Sequence, residues 1–242
     1  MYGNRRLRCY PHSTAAAAVL YCRLPEWEDM RFMLDYLGDG DIFIDVGSNV
    51  GAYTLLASAI EGVDIIAFEP STENRWRLEE NVRINGLDRR VEVVGHAVGA
   101  HGGEAAFTIG LDTVNHLVEG NGVPPSAAEH VRVVTLDGAV SGVTRRRRVA
   151  LVKIDVEGTE ALVLAGAEAM IAESSPSFIV ERNDPTALGT FFADHGYVTC
   201  QYDPMARMLE TCSISDATGN NVIAVRNIQD ARARLEAAHL EA

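Results

Sequence analysis

Cysteine is scarce in this chain, and what is there does not pair by spacing. The 242 residues hold four, Cys9, Cys22, Cys200 and Cys212. None forms a C-x-x-C unit, and no histidine stands where it would complete a zinc signature. A disulfide framework is not suggested, and a domain of this length does not need one. A reducing, cytoplasmic setting is therefore the expectation. Excess positive charge is missing too. The net charge is −13, a field that repels nucleic acid, so no DNA or RNA partner is expected. The one basic run, Arg145 to Arg148, precedes an apolar strand pattern and is expected to be a solvated loop. No segment approaches the length needed to cross a bilayer. Arg5, Arg6 and Arg8 ahead of the run Ala15 to Leu20 loosely mimic a secretory signal. That apolar stretch, Thr14 to Cys22, is short, lacks a core of large residues and shows no small-residue cleavage site. It is expected to begin the fold as an N-terminal helix or strand.

What is present is an ordinary globular composition, 47% hydrophobic and 23% charged. The length suits one large α/β domain over residues 1–242. Buried-strand patterns alternate with helical ones. Strands are expected at Ile42 to Val46, Asp64 to Phe68, Val91 to Val94, Val149 to Ile154 and Phe178 to Glu181. Helices are expected at Tyr53 to Ile60, Thr72 to Asn85 and Thr159 to Ala172. This rhythm predicts a mostly parallel sheet with helices on both faces. Two stretches break it. Glu104 to Ile109 and Val131 to Leu136 read as short β pieces flanking a Gly-, Asn- and Pro-rich loop over 110–130. A loop that long is expected to serve the active site. Val198 to Tyr202 and Asn221 to Val225 read as a closing pair of strands, and Ile228 to Ala242 as a surface helix. Residues 1–40 form an N-terminal helical cap in this scheme.

Three strand ends carry chemistry. Asp45-x-Gly47-x-x-x-Gly51 follows a strand and opens a helix. Glycine permits a tight turn and close approach to a ligand, and a helix N-terminus offers unpaired N–H groups. The spacing is not the dinucleotide G-x-G-x-x-G. Asp45 would repel a pyrophosphate and suits a ligand bearing an ammonium group. Glu69, before Pro70, lies about 20 residues past the glycines, where an acid binds ribose hydroxyls. Lys153-Ile154-Asp155-Val156-Glu157-Gly158 ends the fourth core strand and faces the same crevice, either shaping its loop or serving the reaction.

In that order, DVGSNVGAYT (Asp45 to Thr54), AFEPS (Ala67 to Ser71) and KIDVEGTE (Lys153 to Glu160) resemble the FkbM-type methyltransferases. The likeness runs from about Gly40 to Glu181. It implies a class I, Rossmann-like sheet of seven strands with the last antiparallel. It also implies S-adenosyl-L-methionine as cofactor and O-methylation of a sugar or polyketide-type natural product. On that resemblance, Asp45, Gly47, Asn49 and Gly51 surround the methionine part of the cofactor, Glu69 holds the ribose, and His96 and Ala97 lie near the adenine. An alcohol acceptor needs a base within reach. Asp155 is the first candidate, then His116 in the long loop, then Glu181. A divalent metal bridged by Asp155 remains open, though no spacing indicates one. The expected partner is a small hydroxylated acceptor, with no membrane partner and with homo-oligomerisation left open. A nicotinamide-dependent oxidoreductase shares the sheet, the glycine turn and the ribose acid, but would need G-x-G-x-x-G and a catalytic Tyr-Lys pair. A non-catalytic binding or scaffold module on the same fold is the third alternative.

Overall fold

The computed structural model describes residues 1–10, 13–108, 117–118, 128–142 and 147–240. The 110–130 loop therefore lies mostly outside the described residues, and His116 lies outside them altogether.

Among the described residues the predicted strands are present: β1 (Ile42–Val46), β2 (Asp64–Phe68), β3 (Val91–Val94), β8 (Val149–Ile154) and β9 (Ser177–Glu181). They pair in parallel in the order β9-β8-β1-β2-β3. β12 (Asn221–Val225) joins antiparallel beside β9, and β10 (Val198–Asp203) lies outside it, antiparallel again. The expectation of seven strands needs correcting to eight. A hairpin partner, β11 (Met208–Thr211), extends the edge. Its turn is local: Asp203 accepts from the amides of Met205 and Ala206, and Arg207 takes φ 53. The Asp-Pro pair marks the turn in the sequence, but the strand after it is too short and polar to register.

A second sheet orders as β4 (Ala97–Val98), β7 (Ala128–Val134), β5 (Gly103–Thr108) and β6 (Leu117–Val118). β7 ends at Val134, because Thr135 caps a short helix, α5 (Leu136–Val140), through its hydroxyl to the Gly138 amide.

Side chains alternate across the main sheet as a period of two requires. Phe43, Ile65, Leu151, Ile179 and Ile223 face one core. On that side lie α2 (Trp27–Tyr36), α3 (Ala52–Ser58), α4 (Thr72–Ile84) and α9 (Ile228–Leu240). Ile44, Ile66, Val152, Phe178 and Val180 face the other, under α5, α6 (Glu160–Ala165), α7 (Glu168–Ser174) and α8 (Pro185–Asp194). Each such side chain contributes roughly 1.5–3 kcal/mol on burial. The helix expected over Thr159 to Ala172 is two helices. The break falls at Gly166, where the chain passes so close to Gly99 that a Cβ would lie 2.2 Å from its carbonyl oxygen. The N-terminal cap contains α1 (Thr14–Cys22), begun by the Ser13 hydroxyl, and α2. No helix among the described residues is long and apolar enough to cross a membrane.

Candidate active site

A cavity of about 410 Å³ opens at the carboxyl ends of β1, β2, β8 and β9, where open α/β sheets bind ligands. α1 and α2 close it from the far side through Thr14, Ala15, Ala18, Glu26 and Met30. Its volume falls within the usual range for small-molecule sites, ~300–1,000 Å³.

The glycine turn forms one wall. Asp45 ends β1 fully buried and accepts a 2.6 Å hydrogen bond from the Thr54 hydroxyl. Burial raises its pKa, against the opposing pull of Lys153 and Thr54. Gly47, at φ 82, has no room for a side chain: a Cβ would lie 1.8 Å from the Asp155 carbonyl oxygen. The amides from Gly47 to Gly51 are already engaged. Gly47 and Ser48 donate to the Phe68 carbonyl at 3.0 Å, and Gly51 donates to Ser48 at 2.8 Å. Asn49, at φ 49, donates to Glu69 Oε2 at 2.8 Å, and Val50 to Asn49 Oδ1. The turn itself therefore presents carboxylates and an amide side chain to a ligand, with Ala52 and Tyr53 at the start of α3 beside them on the wall. Gly51 is not on the cavity wall. At φ 92 it opens α3, and Leu78 packs where its Cβ would be.

Glu69 is buried at the end of β2, with Oε2 on the Asn49 amide and Oε1 on the Ser71 amide at 2.9 Å. Burial pushes its pKa up to about 7 despite those two donors. A carboxylate has about four acceptor sites, so two remain for ligand hydroxyls. His96, Ala97 and Phe107 line the wall beyond it. His96 has a pKa below the ordinary histidine value, lowered by burial and then by Arg132 and Arg75, so it is neutral at neutral pH.

The adjoining wall is built by the loop after β8. Lys153 is the only lysine in the chain and is 3% exposed. It lies beside Asp45 in the strand register. Its ammonium sits 2.6 Å from Asp155 Oδ2 and 4.5 Å from the centre of the Tyr53 ring. Burial works against its charge, but Asp155, Glu26 and Asp45 outweigh that and raise its pKa. Glu157 is left-handed at φ 58, followed by Gly158 at φ 109. Glu160 holds this bend: its Oε1 accepts from the Gly158 amide at 2.9 Å, the Asn183 amide group at 3.1 Å and the Val156 amide at 3.3 Å. Glu181 ends β9 beside Asp155, and burial followed by the charges of Asp155 and Glu157 pushes its pKa up to about 8. Carboxylate oxygens of Asp155, Glu157 and Glu181 lie within 4.8 Å of one another.

The fold thus brings Asp45, Gly47, Asn49 and Glu69 to one end of a cavity, with His96 and Ala97 beside them. Asp155 and then Glu181 follow on the side away from Glu69, as the strand order β2-β1-β8-β9 requires. Sequence reasoning missed Glu26 and Tyr53. Tyr53 lies inside the first motif and could have been found there; nothing in the text around Glu26 signals a site.

Residues 45–199 match the family model described as the methyltransferase FkbM domain. No curated protein matches the chain. Among solved structures, the methyltransferase FkbM from Methylobacillus flagellatus KT aligns with TM-score 0.54 at 16% identity, covering 87% of this chain and 52% of that one. The chain therefore spans about half the length of that relative, and the likeness shows a shared fold. An rRNA methylase from Streptococcus thermophilus aligns with TM-score 0.46 at 9% identity, covering 81% of this chain and 91% of that one. A Streptococcus pneumoniae structure in complex with S-adenosyl-L-methionine aligns with TM-score 0.47 at 14% identity, covering 81% and 70% respectively.

Proposed function

Since the chain belongs to the FkbM methyltransferase family, we propose that it transfers a methyl group from S-adenosyl-L-methionine to a hydroxyl oxygen of a small molecule, a sugar or polyketide-type natural product. The observation that carries this reading is the pair of buried carboxylates, Asp45 and Glu69, at adjacent strand ends facing one cavity. The donor set fits this cofactor. Glu69 keeps acceptor capacity for the two ribose hydroxyls, and Asp45 and Asn49 suit the methionine ammonium. Neutral His96 and apolar Ala97 and Phe107 suit an uncharged adenine. A pyrophosphate would meet the carboxylates of Asp45 and Glu69, which disfavours a nicotinamide dinucleotide.

When bound, the cofactor supplies a methyl group already activated on a sulfonium. The chain's own task is then alignment of the acceptor oxygen and removal of its proton. Asp155 and Glu181 are the carboxylates at the acceptor end. Lys153 fixes Asp155 by a 2.6 Å ion pair and keeps one oxygen occupied. Glu181 makes no such ion pair, and burial followed by Asp155 raises its pKa to about 8, so it is the stronger base once it has lost its own proton. We assign it that role, with Asp155 orienting the acceptor hydroxyl. The net charge of −13 supports a small-molecule acceptor over nucleic acid, and the few unpaired cysteines support a reducing, cytoplasmic setting.

Calorimetry with S-adenosylhomocysteine, against NADH as control, tests the cofactor assignment. S-adenosylhomocysteine is expected to bind and NADH not to. Glu69→Ala is expected to weaken binding at least tenfold, about 1.4 kcal/mol. Methyl transfer over a panel of hydroxylated sugars and polyketides tests the reaction. Glu181→Gln is expected to cut turnover by ~10²-fold or more while S-adenosylhomocysteine affinity stays near that of the parent. Full activity in that variant would remove Glu181 from proton transfer.

A further inference from the structure

The cofactor accounts for Asp45 and Glu69 but not for the acids at the other end of the cavity. There, Glu26 projects from the start of α2, Asp155 and Glu157 from the loop after β8, and Glu181 from the end of β9. Among the described residues lining that end, the cationic side chain is Lys153, and its ammonium is already committed to Asp155. A second observation concerns a neutral group. Tyr53 lines the cavity and is 5% exposed. Its hydroxyl is buried beside the Glu26 carboxylate but makes no well-formed hydrogen bond. A buried hydroxyl whose bonding is incomplete is costly, and a ligand able to bond to it would recover that cost.

We infer that the acceptor is a hydroxylated small molecule carrying a protonated amine, whose ammonium is held by Glu26 and the Tyr53 hydroxyl. This inference rests on the methyltransferase reading and narrows its substrate class. A neutral polyol would leave the carboxylates crowded and unbalanced, and a carboxylated or phosphorylated acceptor would be repelled. An ammonium brings three donors and no acceptor, which matches a wall of acceptors. The wall already holds one alkylammonium in the same manner: Lys153, seated on the Tyr53 ring and bonded to Asp155.

The test uses matched pairs of hydroxylated amines and their N-acetyl derivatives, glucosamine and N-acetylglucosamine among them. The intact protein is supplied with methyl-labelled S-adenosylmethionine, with and without EDTA. Methylation on oxygen is expected for amine members at a kcat/KM at least tenfold above their N-acetyl partners. Glu26→Gln is expected to erase most of that preference while S-adenosylhomocysteine affinity, measured by calorimetry, stays at the parental value. Tyr53→Phe, which keeps the ring under Lys153, is expected to weaken the preference severalfold. Equal use of both members, a preference untouched in both variants, methylation on nitrogen, or activity on neutral alcohols that EDTA abolishes would each overturn the inference. So would the absence of any methylated amine while S-adenosylhomocysteine binds. Failure of S-adenosylhomocysteine to bind would instead bring down the methyltransferase reading beneath it.

Discussion

Gly47 illustrates how a motif residue can be right for a reason the motif does not state. The sequence marks it as clearance for a ligand. In the fold, its missing Cβ is clearance for the Asp155 carbonyl, 1.8 Å from where that atom would stand. Gly47→Val is therefore expected to damage the protein before any ligand arrives. Positive φ and overlap with backbone together should cost at least ~2 kcal/mol. A melting point at least ~4 °C lower without ligand would follow for a chain this long. Thermal denaturation of the empty variant checks this, and an unchanged melting point would return Gly47 to a purely ligand-related role. The contact was not legible because Asp155 is far away in the chain. Glu69 was legible, since its distance from the glycines fixes its strand end. Lys153 was visible as a letter in its motif but not as a charge, because one-dimensional text does not show burial.

At the scale of elements, the core strands were legible because buried parallel strands are apolar runs that few other structures require. The break between α6 and α7 was not, since the period of three to four continues across Gly166. The bend after β8 depends on one side chain. Glu160, buried, collects two backbone amides and the Asn183 side chain on a single oxygen. Glu160→Ala is expected to cost ~2–3 kcal/mol, the range for losing hydrogen bonds to a buried charged group, and to lower turnover because Asp155 and Glu157 lose their support. Denaturant melts with parallel kinetics measure both. The role of α1 was expected only as a cap. Since Ala18 lies on the cavity wall, Ala18→Trp is expected to raise the acceptor KM at least tenfold with little change in S-adenosylhomocysteine affinity. Steady-state kinetics with calorimetry would show equal losses in both if α1 instead shaped the donor end.

The whole molecule carries its surplus negative charge partly inside, and that sets its response to pH. Asp29, Glu69 and Glu181 have pKa values of about 6, about 7 and about 8 in the folded chain, each above the ordinary carboxylate value. Burial leads in all three, with Glu26 and Glu28 adding at Asp29, Asp45 at Glu69, and Asp155, Glu157 and Glu160 at Glu181. Each group holds its proton more tightly folded than unfolded. The stability they contribute is therefore full below the unfolded carboxylate pKa and is lost as pH rises through their folded values. The raised pKa of Lys153 acts only at more alkaline pH. The empty protein is expected to melt at a lower temperature at about pH 8.5 than at about pH 5.5, with the upper part of the slope flattened in Glu181→Gln. A melting point that rises over this interval would contradict the burial of these acids. Lys153 has a further use. With one lysine in the sequence and that one in the cavity wall, a sample labelled with ¹⁵N-lysine carries a single side-chain ammonium resonance. That signal needs no assignment, and it reports directly on whatever enters between Asp45 and Asp155.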